Sequence, residues 1–292
     1  MKKLLLPLLV FSIFFAACNS NVQQSAAANM DSSAITDPST DWKFGVALWT
    51  FHTFNFADAL DKIDSAGLVY IEPNTFQKGG PDVKDSLVFQ LSAVGIAKLK
   101  SLVVKKGLKV ESIYIAGDST VVSWKKQFDI AQGFGVKFVT AEPPLTMWDS
   151  IDSLAGVYGV KVAIHEHWKG VSRYWSPDSV LAAIKNHPNF GACADLGHWP
   201  KSGINPLEAV QKLSGHIIGV HLKDIAAYNN PALKDVPVGT GVVDFPAIFA
   251  ELKKQNFKGH IYIERDAEDL PSNLSSVIQT VKYYNEQLGK LK

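Results

Sequence analysis

Residues 160–168 read VKVAIHEHW and residues 190–199 read FGACADLGHW. In each, a short and largely apolar run stops at acids and imidazoles: His165, Glu166 and His167 in the first, Asp195 and His198 in the second. Apolar runs without a clean polar alternation suit parallel strands covered on both faces. Working outward, six more such runs appear, Phe44–Trp49, Leu68–Ile71, Leu108–Ile115, Val136–Ala141, Ile217–Leu222 and His260–Ile263, beside Val160–Ile164 and Phe190–Ala194. Helix-like stretches lie between them. Asp85–Lys105 carries Leu87, Leu91, Val94, Leu99 and Leu102 at near-helical spacing. Ser176-Pro177-Asp178 opens a helix with proline in its first turn, and Phe245–Lys254 and Leu274–Leu288 follow the same pattern.

Eight alternations of strand and helix in about 250 residues predict one α/β domain, a single (β/α)8 (TIM) barrel over Trp42–Lys292. An open doubly wound sheet usually has a glycine-rich first turn, and none follows Phe44–Trp49. The 292 residues are 47% hydrophobic and 20% charged, which excludes a disordered or collagen-like chain. Formal charge is +1, with 29 basic against 28 acidic side chains, so nucleic acid is not an expected partner.

The first residues read as an address. Lys2 and Lys3 precede an apolar run, Leu4 to Ala17, that is too short for a good membrane span, and Ala16-Ala17-Cys18 follows. This resembles a bacterial lipoprotein signal over residues 1–17. The resemblance implies cleavage before Cys18 and an acyl anchor on its thiol, placing the protein at the cell envelope, facing the periplasm, with the membrane engaged through the lipid alone. Residues 18–41 lack aromatics and read as a solvated tether. Cys193 would then be the one remaining cysteine, so no intrachain disulfide is expected.

In a barrel of this kind chemistry sits at the C-terminal strand ends. Here those ends carry Glu72 in YIEPN, Glu142 in FVTAEPP, His165 and His167, Asp195 with His198, His221 in GVHLKD, and Glu264 in IYIERD. Each alone reads most simply as a loop or capping residue. Together they place several acids at one mouth, where they would repel one another unless a cation sat among them. Glu142, Asp195, His221 and Glu264 are the expected ligands of one divalent ion, and mixed oxygen and nitrogen donors suit Mn, Mg, Co, Zn or Fe.

The motifs AEPP, ADLGHW, GVHLKD, VPVGTGVVDF and YIERD resemble the sugar phosphate isomerase/epimerase family, the xylose-isomerase-like barrels, over essentially all of residues 42–292. The resemblance implies a Glu-Asp-His-Glu metal quartet, matched to Glu142, Asp195, His221 and Glu264. It also implies Glu142 and Glu264 as an acid/base pair and His198 as a substrate contact. One departure stands out: many relatives read Glu-Asn-His where this chain reads His165-Glu166-His167, so His165 replaces a carboxylate, either as a supporting group or as an added general base.

The chemistry expected is metal-assisted proton removal beside a carbonyl, through an enediolate, on a keto-sugar. Returning the proton gives isomerisation or epimerisation; losing a β-oxygen substituent gives elimination, as in a 3-keto-glycoside lyase or hydratase. Glu72, His167, His198 and Lys223 are candidate substrate contacts, with Trp49 and Trp168 as stacking faces. Arg173 and Arg265 are the sole arginines, so a bidentate phosphate clamp is poorly supplied and the expected substrate is unphosphorylated. Gly239-Thr240-Gly241 reads as a simple turn before a phosphate loop. A metal-dependent apurinic endonuclease and a non-catalytic carbohydrate-binding lipoprotein are the rival readings. A homo-oligomer is compatible with the sequence.

Overall fold

The computed structural model describes residues 41–291. The expected signal peptide, Cys18 and all of the tether except Asp41 lie outside the described residues. No helix among the described residues is long and apolar enough to cross a membrane.

The strands are β1 (Lys43–Ala47), β2 (Tyr70–Glu72), β3 (Lys109–Val110), β4 (Ser112–Tyr114), β5 (Phe138–Ala141), β6 (Lys161–His165), β7 (Phe190–Asp195), β8 (Ile217–Leu222), β9 (Asp224–Ile225), β10 (Asp235–Val236) and β11 (His260–Ile263). The helices are α1 (Phe56–Ser65), α2 (Ala93–Lys105), α3 (Val121–Phe134), α4 (Trp148–Tyr158), α5 (Pro177–Ile184), α6 (His198–Lys201), α7 (Pro206–Lys212), α8 (Phe245–Lys254) and α9 (Leu274–Leu288). Nine strands form one parallel sheet in the order β3-β2-β1-β11-β8-β7-β6-β5-β4. β3 and β4 are the two halves of one stave, broken at Glu111: β3 pairs with β2 and β4 with β5, which brings the sheet round into a (β/α)8 barrel. β9 and β10 form a small antiparallel ribbon over the mouth.

Local chemistry sets the boundaries. Helices start where short polar side chains take up free amides: Asn55 accepts from Asp58 N at 2.9 Å, Ser176 from Ser179 N at 3.4 Å, and Asp244 from Ala247 N at 3.1 Å. Several expected boundaries move, two of them for a visible local reason. β1 ends at Ala47, and Leu48–Phe51 coil into a 3-10 turn that carries Trp49 to the mouth. The helix expected from Asp85 begins at Ala93, because Asp85, Val88 and Phe89 donate their amides to Gly80, Gln77 and Thr75 in the preceding loop. Close backbone approach explains one glycine: a Cβ on Gly45 would lie 2.1 Å from Tyr70 O.

Strand side chains alternate between faces, so every second residue enters the barrel. That phase places Ala47, Phe138, Ala163, Cys193 and Tyr262 together as an interior plug, with small residues beside large ones. The larger core lies between sheet and helices and includes Val46, Ile71, Phe128, Ile151, Val180, Leu222 and Phe249. Above the plug the same phase delivers Glu72, His165, Asp195, His221 and Glu264; below it lie Glu111 and His260.

Glu111 joins the lower staves. Its Oε2 accepts from Lys43 Nζ at 2.9 Å and Lys137 Nζ at 2.8 Å, and His260 Nε2 lies 2.9 Å away. Burial opposes ionisation, but Lys137, Lys43 and His260 together bring its carboxyl down to about 2. Because the folded value is depressed, this carboxylate adds stability at pH values above the ordinary glutamate range and loses it as pH falls toward 2. Glu111→Gln is therefore expected to cost about 1 kcal/mol, about 2–4 °C in melting midpoint, at neutral pH. Calorimetry across pH should show the two midpoints converging between about pH 4.5 and 2.

Candidate functional site

Four consecutive staves, β6, β7, β8 and β11, each send one polar side chain to the same point. His165 Nε2 lies 3.4 Å from Asp195 Oδ2 and 3.6 Å from Glu264 Oε2. His221 Nδ1 lies 3.0 Å from Glu264 Oε2 and 3.9 Å from Asp195 Oδ2. All four residues are buried, and their donor atoms fall within 4.8 Å of one another.

Each of these side chains is aimed by a second contact. Asp195 Oδ1 accepts from Gly197 N at 3.0 Å and His198 N at 3.2 Å, leaving Oδ2 to the site. Gly197 passes so close over Lys223 that a Cβ there would lie 2.5 Å from Lys223 Cγ, which accounts for the glycine in DLGH. His221 Nε2 sits 2.8 Å from Glu72 Oε1, and Thr140 Oγ1 donates to Glu72 Oε2 at 2.7 Å. Glu72 thus has both oxygens engaged and orients His221, although it borders the cavity.

Lys223 is the local cation. Its ammonium, 1% exposed, lies 3.1 Å from Asp195 Oδ2 and from Glu264 Oε2, 3.0 Å from Asp266 Oδ2, and 2.9 Å from His198 Nε2. Burial works against its charge, yet Asp195, Asp266 and Glu264 hold its pKa well above the usual value. The converse holds for the acids: against burial, Lys223 draws Asp195 down to about 2, and Lys223 and His221 hold Glu264 well below the carboxylate range. Burial, reinforced by Lys223, keeps His198 well below the usual imidazole value.

The donor set fits a divalent ion. Both ring nitrogens of His165 are buried without a hydrogen bond, and Asp195 Oδ2 faces the site with the Lys223 ammonium beside it. Nitrogen and oxygen ligands about 2.0–2.2 Å from one ion lie about 3–4 Å apart, the spacing found here. A bound ion would share Asp195 and Glu264 with Lys223.

The expected quartet therefore changes membership. Asp195, His221 and Glu264 come together, but His165 stands fourth where Glu142 was expected. Glu142 belongs to β5's end, one stave farther round from β8 and β11, and groups with His165 and His167. Its Oε1 lies 2.7 Å from His167 Nδ1 and accepts from Tyr114 Oη at 3.1 Å, while Ser172 Oγ donates to Oε2. Burial opposes its charge, but His165 and His167 keep it ionised well below the usual range. Glu166, in the opposite phase from His165, points away from the mouth; its Oε2 accepts from Asp195 N at 3.2 Å, and burial raises its pKa well above normal.

A cavity of about 180 Å³ opens above the four residues, lined by Trp49, Glu72, Asn74, Tyr114, His167 and Lys223, among others. Trp49 Nε1 donates to Asp266 Oδ1 at 2.9 Å. His198 is fully buried behind Lys223, and Trp168 packs beside it under the Lys201 ammonium, 4.2 Å from the ring centroid; neither lines this cavity. Sequence reading passed over Asn74, Phe76, Tyr114 and Asp266, all on the cavity wall. Tyr114 shares the inward strand phase, a signal present in the sequence, whereas Asn74 and Phe76 lie on a loop with no period. The amide of Asn74 is buried with neither polar atom hydrogen-bonded.

Two features that could serve a phosphate are engaged within the protein. Asp224 accepts from the amides of Gly239 (3.0 Å), Gly241 (2.8 Å) and Val243 (3.2 Å), so the glycine turn is already spent on a carboxylate. Arg265 is tied to Asp235 and Asp269.

A barrel with acids and imidazoles gathered at its strand ends defines the class of protein. The chain belongs to the xylose isomerase-like TIM barrel family, whose profile matches residues 60–288. A putative L-ribulose-5-phosphate 3-epimerase of Haemophilus influenzae is 31% identical over 123 residues, covering 41% of this chain and 42% of the relative. An inosose dehydratase of Clostridium beijerinckii is 27% identical over 157 residues, 48% of this chain and 52% of the relative. The chain thus spans about half the length of the curated relatives it matches. Among solved structures, an uncharacterised protein of Parabacteroides distasonis superposes with TM-score 0.66 at 36% identity, over 86% of this chain and 100% of that one. The IolI protein with a bound zinc atom (TM-score 0.68, 18% identity, 86% and 99% covered) and a Mycobacterium smegmatis barrel in complex with magnesium (0.68, 16%, 87% and 98%) share the fold. The relatives support a carbohydrate-modifying enzyme.

Glu72→Gln removes the carboxylate that orients His221. Titration with zinc against a chromophoric chelator is expected to show affinity reduced about 10–100-fold, whereas Asn74→Ala should leave it unchanged.

Proposed function

We propose that this protein is a divalent-metal-dependent isomerase or epimerase acting on a small, unphosphorylated keto-sugar or cyclitol by proton removal beside the carbonyl. One observation carries the reading: the donor atoms of His165, Asp195, His221 and Glu264, with neither His165 ring nitrogen hydrogen-bonded, meet directly beneath a cavity sized for a single small sugar. Held by those four residues, a divalent ion would polarise the substrate's oxygens and stabilise the negative charge left by proton loss.

The chain's own groups divide the remaining work. His167 borders the cavity with Glu142 behind its Nδ1, an imidazole–carboxylate pair suited to taking a proton and returning it. Lys223 offers a buried ammonium to a substrate oxygen, and the Asn74 amide offers unused hydrogen-bonding capacity to a hydroxyl. Trp49 and Phe76 give the cavity an apolar wall that excludes water. This reading moves the proton shuttle from the expected Glu142, Glu264 and His165 to His167 backed by Glu142. The likeness to inosose dehydratases supports a lyase as the second outcome of the same deprotonation, with a β-oxygen substituent leaving.

Metal-loaded protein incubated in deuterated water with free ketoses, inososes and 3-keto-glucosides should introduce deuterium at the carbon beside the carbonyl. NMR would separate exchange, epimer and eliminated product. His167→Ala is expected to lower the rate about 10²–10⁴-fold with metal stoichiometry retained, and Glu264→Gln to lose metal as well as turnover. Sugar binding without exchange, undisturbed by Glu264→Gln, would instead identify a non-catalytic carbohydrate-binding protein.

A further inference from the structure

The opposite end of the barrel carries a second organised surface. Lys43 and Lys161 begin β1 and β6, Lys109 begins β3, Lys137 directly precedes β5, and Lys258 stands two residues before β11. Lys109, Lys137, Lys161 and Lys258 each stand a few residues past the C-terminus of a helix, α2, α3, α4 and α8, where cations are favoured. Lys43, Lys137, Lys161 and Lys258 rim a cleft of about 420 Å³ whose floor is Phe138, Ile217, Ile218 and Phe257. A neighbouring cleft of about 430 Å³ shares Lys161, Gly215, Ile217 and Ile218, so the two make one groove.

The acids at this end are paired with lysines, among them Glu251, which accepts from Gln255 of the cleft wall and lies 3.3 Å from Lys254 Nζ. Glu111 is enclosed by Lys43, Lys137 and His260, exposed Asp41 lies 3.5 Å from Lys258, and Asp61 and Asp64 pair with Lys106. Lys161 donates to Pro188 O at 2.9 Å and meets no acid. An apolar floor with an ammonium rim matches the border between phosphate headgroups and acyl chains.

The described chain also begins here. Trp42 is buried at this end, its Nε1 donating to Phe257 O at 2.8 Å, and Lys43 opens β1. Residues 18–41 span at most about 85 Å when fully extended, so an anchor at Cys18 would keep this end within that distance of a bilayer.

We propose that the strand-start end of the barrel docks on an anionic phospholipid surface through Lys43, Lys137, Lys161 and Lys258, turning the sugar site away from the membrane. The direction of docking follows from the place of the lysine groove; the anchor expected at Cys18 would add only proximity to the bilayer.

The test uses residues 18–292 with Cys18→Ser, so that no acyl chain contributes, and vesicles of phosphatidylcholine with or without an equal part of phosphatidylglycerol. Cosedimentation is expected with the anionic vesicles alone and should disappear at about 0.5 M sodium chloride. The triple variant Lys137→Gln/Lys161→Glu/Lys258→Glu should bind at least about tenfold more weakly, and Lys78→Glu/Lys84→Glu/Lys234→Glu, at the catalytic end, as tightly as the parent. Circular-dichroism melts identify any variant that fails to fold; Lys161→Glu alone, outside the Glu111 cluster, then provides the comparison.

Equal binding to neutral vesicles, absence of binding, or full binding by the folded strand-start variant would overturn the proposal. So would selective competition by inorganic phosphate over chloride at matched ionic strength, which would mark a small-anion site. Mass analysis of the exported protein's N-terminus tests the anchor separately: an unmodified Cys18 with vesicle binding intact removes the anchor and keeps the surface.

Discussion

Placing several carboxylates inside a dry barrel mouth is possible only if positive charge shares the space. Lys223 supplies it. Fully buried and in contact with Asp195, Glu264 and Asp266, its ammonium lets these acids stay ionised where desolvation alone would protonate them. Losing one partner from such a group would strand an uncompensated charge, so these residues act as a unit. Glu72 and Thr140 extend that unit around His221, and Asp266 links it to Trp49 on the cavity wall.

The site's members are joined by strand phase as much as by charge. Alternation puts Cys193 in the plug and Asp195 above it on β7, with Tyr262 and Glu264 repeating the relation on β11. A shift of one residue would exchange His165 for Glu166. Glu166 shows the consequence: equally buried but in the opposite phase, it faces away from the mouth and bonds a backbone amide instead. The same alternation carries Phe138 into the plug and leaves the strand starts to lysine. One rule therefore produces an acidic mouth, an apolar middle and a basic base.

The eight-stave rhythm was legible because buried parallel strands and amphipathic helices leave different periods in sequence. Phe245–Lys254 and Leu274–Leu288 appear with the bounds their patterns imply. The late start of α2 was not legible, because its first expected turn spends its amides on carbonyls of a loop folded beside it, a contact without local signature. The break at Glu111 was hidden for the same reason: its three partners come from β1, the turn before β5 and β11.

Sequence alone determined that this chain closes into a parallel barrel and that its acids and imidazoles collect at one end, since both follow from residue order along each strand. Tertiary structure decided which of them meet. Which staves are neighbours, and how far each has advanced round the barrel, are settled by hydrogen-bond register between distant segments. That register seats His165 with Asp195, His221 and Glu264, leaves Glu142 beside His167, and puts His198 behind Lys223 instead of in the cavity. Strand order and stagger are properties of the closed sheet, and no single stretch of chain contains them.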